Sequence, residues 1–287
     1  MNAHRLLLAG VLAGAACGLL AAPAAARIVG GNVTTRTAAD PAAAINTTAR
    51  AEGRRWIAWR IEPREENLVG CFRNWRADSP ADCRCSLAEP GGNWGSNGDV
   101  RSAAAPGRLE IYAAVDHGQV GELLLASESC TVDAGNATVT ALDGVDPAAS
   151  AALLRDLALG GGRKPELAEK ALAAIAFHAT PAAPRAIHDV AREASDPEQR
   201  AHALFWLSQT KAPEAGRWIH EAIARDPDDE VREQAVFALS QLPDATDQLL
   251  AVIRSSEERA VRKQALFWLG QSEDPRAMEM IEKVLLR

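Results

Sequence analysis

Apolar residues recur at helical spacing through the second half of the chain, carried by one repeated phrase. Ala203-Leu204-Phe205-Trp206-Leu207-Ser208-Gln209 returns as Ala235-Val236-Phe237-Ala238-Leu239-Ser240-Gln241 and as Ala265-Leu266-Phe267-Trp268-Leu269-Gly270-Gln271, with starts 32 and then 30 residues apart. A weaker copy, Ala171-Leu172-Ala173-Ala174-Ile175-Ala176-Phe177, begins 32 residues before the first. A fixed period of this length marks stacked supersecondary units, because one helix pair cannot bury both of its faces alone. At 100° per residue, Val261, Ala265, Trp268 and Leu269 share one face, as do Val231, Ala235, Ala238 and Leu239 one repeat earlier. Ala277, Ile281, Val284 and Leu285 make the matching stripe on a second helix. The pattern predicts four helix pairs, with first helices over 165–178, 197–209, 228–241 and 257–270 and second helices over 182–194, 212–225, 244–254 and 275–286. Asp196, Asp226, Asp244 and Asp274 stand beside helix starts, where a carboxylate caps free N–H groups and meets the positive dipole end.

Upstream the period changes. Trp56 to Ile61 alternates large and small or polar residues, as a half-buried strand does. Arg108 to Val115 and Gln119 to Ser127 flank Asp116-His117-Gly118 and predict a hairpin. Cys130 to Val132 and Thr138 to Leu142 predict one or two further short strands, and between the first strand and the hairpin lies a Cys- and Gly-rich loop. Asp146-Pro147 opens a leading helix that Gly160-Gly161-Gly162 ends. Residues 27–52 show no apolar period and predict a disordered linker. The expected class is α+β. A small, disulfide-linked antiparallel β domain over 53–145 precedes an α-solenoid of about four helix pairs over 146–287 with its leading helix.

The first 26 residues read as a secretory signal: Arg5, an apolar run from Leu6 to Leu20, and small residues at Ala24-Ala25-Ala26. The expected location is therefore periplasmic or secreted. Attachment to a membrane is expected only if that signal stays uncleaved or Cys17 is lipidated. Loss of the signal removes Arg5 and no acid, taking the net charge from −7 to −8. An acidic chain lacks the basic stripe that nucleic-acid binding needs. Four cysteines remain: Cys71, Cys83, Cys85 and Cys130. In an exported chain an even number predicts two disulfides, and adjacent Cys83 and Cys85 are too close to pair with each other, so Cys71 takes one of them and Cys130 the other. Four thiolates could instead hold zinc, although only one short spacing, C-x-C, is present.

An acid followed by Val-Arg, Ala and Leu on one face occurs at Asp228, Val231, Arg232, Ala235 and Leu239, and again at Glu257, Val261, Arg262, Ala265 and Leu269. These residues resemble HEAT repeats, in particular the short bacterial form known as PBS-lyase HEAT-like repeats, over about 165–287. The resemblance implies a solenoid that binds another protein. A minority of such relatives handle bilin pigments, but the export signal and the β domain depart from that subgroup, so no lyase activity is carried over. The β domain resembles no family.

Candidate chemistry is sparse. Arg27-Ile28-Val29-Gly30-Gly31 resembles the activated N-terminus of a trypsin-like protease, yet no Gly-Asp-Ser-Gly follows and His117 is the one histidine of the mature first half. His178, His188, His202 and His220 lack metal-ligand spacing. No catalytic, cofactor or metal residue is assigned. Two polar columns cross the repeats: His202, Gln234 and Gln264, and Gln209, Gln241 and Gln271. They are candidates for gripping a partner, against the alternative of hydrogen bonding between repeats. A column of Arg200, Arg232 and Arg262 reads as local pairing with acids or helix ends. The expected function is an exported interaction or scaffold protein. The alternative is an enzyme or small-ligand protein with its site in the β domain or between the domains, near Trp75, Trp94, Asp78, Asp82 and Glu89.

Overall fold

A computed structural model describes residues 27–64, 84–88, 108–128, 130–160, 164–272 and 274–277. Its sheet has the order β1-β6-β2-β4-β5, with β3 also paired to β6. The strands are β1 (Arg27–Thr37), β2 (Arg55–Ile61), β3 (Arg84–Ser86), β4 (Leu109–Asp116), β5 (Gln119–Ser127) and β6 (Thr131–Asp143). The predicted hairpin is β4 and β5, turning at His117-Gly118, where both residues have positive φ.

Two expectations are corrected. The sheet is mixed: β6 runs parallel to β1, β2 and β3, and only β2–β4 and β4–β5 are antiparallel. β6 is a single 13-residue strand, long enough to take β1 along one edge and β2 and β3 along the other. The predicted linker is structured as well. Residues 27–37 form β1, and α1 (Pro41–Asn46) follows, capped by Asp40 Oδ1 accepting from Ala42 N at 2.8 Å. From Gly30 to Thr37 the side chains of β1 are exposed, so no apolar alternation marks it. It is an edge strand held by backbone bonds to β6. Gly30 and Gly31, at φ 71° and 69°, form the bulge in its register. A Cβ on Gly31 would stand 2.7 Å from the Ala137 carbonyl oxygen, so the Gly-Gly of the protease-like pentapeptide has a backbone reason.

Helices follow in order: α2 (Pro147–Leu159), α3 (Pro165–Phe177), α4 (Ala182–Glu193), α5 (Pro197–Gln209), α6 (Ala215–Arg225), α7 (Asp229–Ser240), α8 (Ala245–Ser255) and α9 (Arg259–Gly270). Asp146, Asp196 and Asp228 cap α2, α5 and α7 through their side chains. Residues 275–277 begin another helical turn with Ala277 buried; Ile281, Val284 and Leu285 lie outside the described residues. Among the described residues no helix is long and apolar enough to cross a membrane.

One face of the sheet joins the helical core. Ile57, Trp59, Ile61, Ile111, Leu123 and Leu125 pack in the same cluster as Leu154, Ala158, Leu172 and the inner stripes of α5, α7 and α9. The indole Nε1 of Trp59 donates to Ser150 Oγ at 2.9 Å, tying β2 to α2 inside that core. The opposite face, with Trp56, Tyr112, Leu124, Val132, Cys85 and Cys130, forms a second cluster. There Tyr112 donates to buried Glu110 at 2.5 Å, and Arg60 pairs with the same carboxylate at 3.1 Å. Burial, followed by the Glu110 charge, holds the Tyr112 phenol well above its usual range. A second tie lies after β2. Arg64 N donates to Phe177 O at 2.7 Å, Ala179 N donates to Glu62 O at 2.9 Å, and Arg64 Nη2 donates to His178 O at 3.2 Å.

His178 sits in this tie, 2% exposed, with neither ring nitrogen hydrogen-bonded. Burial, and secondarily the Arg64 charge, hold its pKa down to about 4 from 6.5. Between those values the unfolded chain binds a proton that the folded chain refuses. This contribution is therefore constant above the unfolded value and is lost as pH falls toward 4, by about 3 kcal/mol in all. Urea unfolding across that window is expected to show the slope, and His178→Leu to flatten it. A parallel slope in the variant would remove the assignment. Ser150→Ala leaves the Trp59 N–H buried without a partner and is expected to cost about 1–3 kcal/mol in the same assay at neutral pH.

Candidate interaction face of the first helices

The first helices α3, α5, α7 and α9 lie side by side, each packed on the next. Their buried stripe is the one the period predicts: Ala203, Leu204 and Leu207 in α5, Ala235, Val236 and Leu239 in α7, Val261, Ala265 and Leu269 in α9. The Phe of each phrase stands two residues past the buried Ala, about 200° round the helix, and so lies on its outer side, where Phe205 still packs on the edge of the core. Phe205 and Phe237 are half-buried, and Phe267 is 52% exposed. Together with the Trp residues they form an aromatic ribbon along the array. Phe177 meets Trp206 edge-on at 5.9 Å, and Phe205 meets Trp206 at 5.4 Å. Phe205 then stacks parallel to Phe237 at 6.0 Å, and Phe237 meets Trp268 at 4.8 Å. Where Ala238 replaces Trp, Phe237 thus becomes the ring that contacts the next repeat.

Between α5 and α7 this ribbon floors a groove of about 780 Å³. His202 and Gln234, both exposed, line it with Phe205, Trp206 and Phe237. Gln264 occupies the equivalent position on α9, half-buried and outside the groove. Four carboxylates, Glu169, Glu198, Asp228 and Glu230, complete the lining, and no Lys or Arg is among the described residues there. The second polar column behaves differently. Gln209 Nε2 donates to Ser208 Oγ at 3.2 Å and Gln241 Nε2 to Ser240 Oγ at 2.9 Å, while Gln271 caps α9 through its backbone N–H. These three sit at helix ends and none lines the groove.

The Arg column is a ladder between repeats. Arg200 makes two 2.8 Å bonds to the Asp226 carboxylate and one of 3.0 Å to Ala194 O, with both side chains largely buried. Arg232 donates to Asp226 O at 2.6 Å and to the Glu258 carboxylate at 3.1 Å, and also pairs with Asp229. Arg262 reaches only the carbonyls of Ser256 and Glu257, at 2.9 and 2.7 Å. Burial alone would raise Asp226, but Arg200 and the Asp228 N–H hold it below the usual carboxylate range.

On the side of the second helices, a cavity of about 720 Å³ is lined by parts of α2, α4 and the α5–α6 turn. Arg155 there pairs with Asp156 and Asp189, and Arg64 with backbone carbonyls, while Arg185 lines the same cavity from an exposed position. His188 stacks on Trp218 at 4.4 Å. Burial, then the Arg192 charge, lower the pKa of that imidazole. Asp116 and His117 are exposed on the hairpin turn, 3.7 Å apart. No group of three His, Cys, Asp or Glu among the described residues could hold a metal. Cys71, Cys83, Trp75, Trp94, Asp78, Asp82 and Glu89 lie outside the described residues.

The Phe column and the outward acids are functional candidates that the apolar period alone does not single out. Their signal is angular: Glu198, His202 and Phe205 in α5, and Glu230, Gln234 and Phe237 in α7, fall at i, i+4 and i+7 on one stripe opposite the core.

Short paired helices with an unbroken inner stripe, Asp caps at the turns and an Arg ladder between pairs define a helical-repeat protein. Residues 184–247 match the family described as HEAT repeats, and residues 261–287 match the PBS lyase HEAT-like repeat. The helical array of this chain carries HEAT repeats over those residues. Comparison with curated proteins gives no match.

Because Arg200 is the buried member of the ladder, Arg200→Ala strands the Asp226 carboxylate and is expected to cost about 3–5 kcal/mol of stability. Arg262→Ala, at a half-exposed site that engages only carbonyls, is expected to cost about 1 kcal/mol. Denaturant unfolding of the two variants checks the order; equal losses would reject the buried pair as the anchor.

Proposed function

We propose that this protein is an exported scaffold that binds a partner protein through the outer face of its first helices. HEAT repeats mediate protein interactions, which supports the general reading. The observation that carries the specific one is the open groove between α5 and α7, where His202 and Gln234 flank half-buried rings that a monomer gains little by leaving wet. Export rests on the N-terminal pattern of residues 1–26. The proposed pairing of Cys71 and Cys130 with Cys83 and Cys85 belongs with it, since disulfides persist in oxidising compartments. The acidic net charge of −7 supports a protein partner over a nucleic acid.

Affinity capture of the tagged protein from its own host, compared with His202→Ala/Gln234→Ala/Gln264→Ala, tests this. The expected outcome is a partner retained by the wild type and reduced by about tenfold or more in the variant, since exposed hot-spot polar groups cost above 1 kcal/mol each when truncated. Far-ultraviolet circular dichroism should stay unchanged, because His202 and Gln234 are exposed. Equal capture by both proteins would overturn the assignment. Lost helicity would make the column structural.

A further inference from the structure

The α5–α7 groove has a direction. On both helices the stripe runs from an acid through a neutral or weakly basic polar group to a ring: Glu198, His202, Phe205 and Glu230, Gln234, Phe237. Seven residues separate acid from ring, about 10 Å along the helix axis. Glu198 and Glu230 are exposed, and no ion pair among the described residues engages them. The Arg residues of the same helices point to the other side, into the inter-repeat ladder. The groove therefore has an anionic end without counter-charge and an aromatic end.

We infer that this groove binds a short basic–apolar segment of the partner protein, with Lys or Arg at the acidic end and a large apolar side chain at the aromatic end. The inference rests on the protein-binding reading above and adds the partner's chemistry. Three residues of extended chain span about 10 Å, so the two side-chain types stand about three positions apart. Lys and Arg suit such a lining because their methylene stems lie on apolar surface while their heads reach carboxylates. A cation within about 6 Å of a ring face gains further. The volume, about 780 Å³, lies within the range of about 300–1,000 Å³ that holds a compact ligand, so a few side chains fit and a folded domain does not. An acidic segment would bring like charges together, which selects against it.

The test uses the full chain and a fluorescein-labelled peptide, Gly-Arg-Arg-Ala-Ala-Leu-Phe-Gly. Its counterparts carry Glu for both Arg, or Ala for Leu and Phe. Fluorescence anisotropy at low salt is expected to give at least about tenfold tighter binding of the first peptide than of either counterpart. The preference over the acidic peptide is expected to shrink between about 50 and 300 mM salt. Glu198→Gln/Glu230→Gln should weaken the basic peptide by about tenfold. Phe205→Leu/Phe237→Leu, which keeps apolar volume but removes the rings, should weaken it by about threefold. Glu193→Gln/Glu214→Gln removes two charges from exposed sites outside the groove and should change nothing. Equal binding of the acidic peptide, or binding that Glu198→Gln/Glu230→Gln does not alter, would overturn the inference. If that happens while the His202/Gln234/Gln264 variant still loses its partner, only the partner's chemistry is wrong. If that variant also retains its partner, the protein-binding reading falls with it.

Discussion

The burial of one sheet face against α1, α2 and α3 is the contact on which the rest of the molecule stands. A stack of helix pairs has two ends, and each exposes an apolar face unless something covers it. Here Ile57, Trp59, Ile111, Leu123 and Leu125 do so at the N-terminal end, in one cluster with Leu154 and Leu172. Each fully buried aliphatic or aromatic side chain contributes about 1.5–3 kcal/mol. The sheet is therefore the cap of the array and not a module on a tether. The Trp59–Ser150 bond and the Arg64–Phe177 bond add direction to what burial alone would leave free to slide. With α2 and α3 fixed, each later pair needs only to repeat its packing.

The Arg ladder then sorts charge between the two sides of the array. Arg200 and Arg232 reach Asp226 and Glu258 in the turns that follow their own repeats. Those pairs neutralise the acids that lie between repeats. The first-turn acids Glu198 and Glu230 project on the opposite stripe and receive no such partner. One sequence phrase thus makes two faces. The first is internally satisfied and holds repeats in register. The second is left to solvent with its rings half covered. The value of the buried rung comes less from attraction than from the penalty of stranding either charge alone.

Repeat period, helix pairing and caps were legible in the sequence because each is local. The heptapeptide phrase fixes the inner stripe, and Asp146 and Asp196 cap the helices they were expected to open, whereas Asp228 rather than Asp226 caps α7 and Asp244 makes no side-chain cap bond. What stayed hidden is non-local or lacks an apolar signature. β1 is an edge strand whose exposed side chains show no alternation, so composition alone suggested a linker. Its β-branched run at Val33, Thr34, Thr35 and Thr37 and the Asp40-Pro41 cap were readable signals of strand and helix. The parallel pairing of β6 with three strands cannot be read from strand lengths, since hairpins are the local option and crossovers are not. At the candidate site, His202 and Gln234 were legible as a column, and the Phe residues were not. Phe205 and Phe237 belong to the repeated phrase but to no predicted stripe, and their angle on the wheel puts them on the side opposite the buried Ala. That Gln209 and Gln241 turn to neighbouring Ser hydroxyls depends on rotamers that no period encodes.

The departures from repetition, rather than the repetition, set the α5–α7 groove apart among the described first helices. A perfectly periodic solenoid would present the same stripe between every pair of first helices and bind at any register. In α9 the acid position is Ala260, Lys263 lies beside Gln264, and Phe267 stands out into solvent while Trp268 takes the contact with Phe237. In α3 the ring position is Ala173, and what α3 lends to the groove is Glu169. Only α5 and α7 carry acid, polar group and ring in full. Their two Phe rings lie parallel, 2° apart, so the complete stripes are also the pair whose rings are held in a common orientation. Degenerate outer repeats that still satisfy the inner stripe keep the stack stable without copying the groove, which confines the complete stripe to the middle of the array.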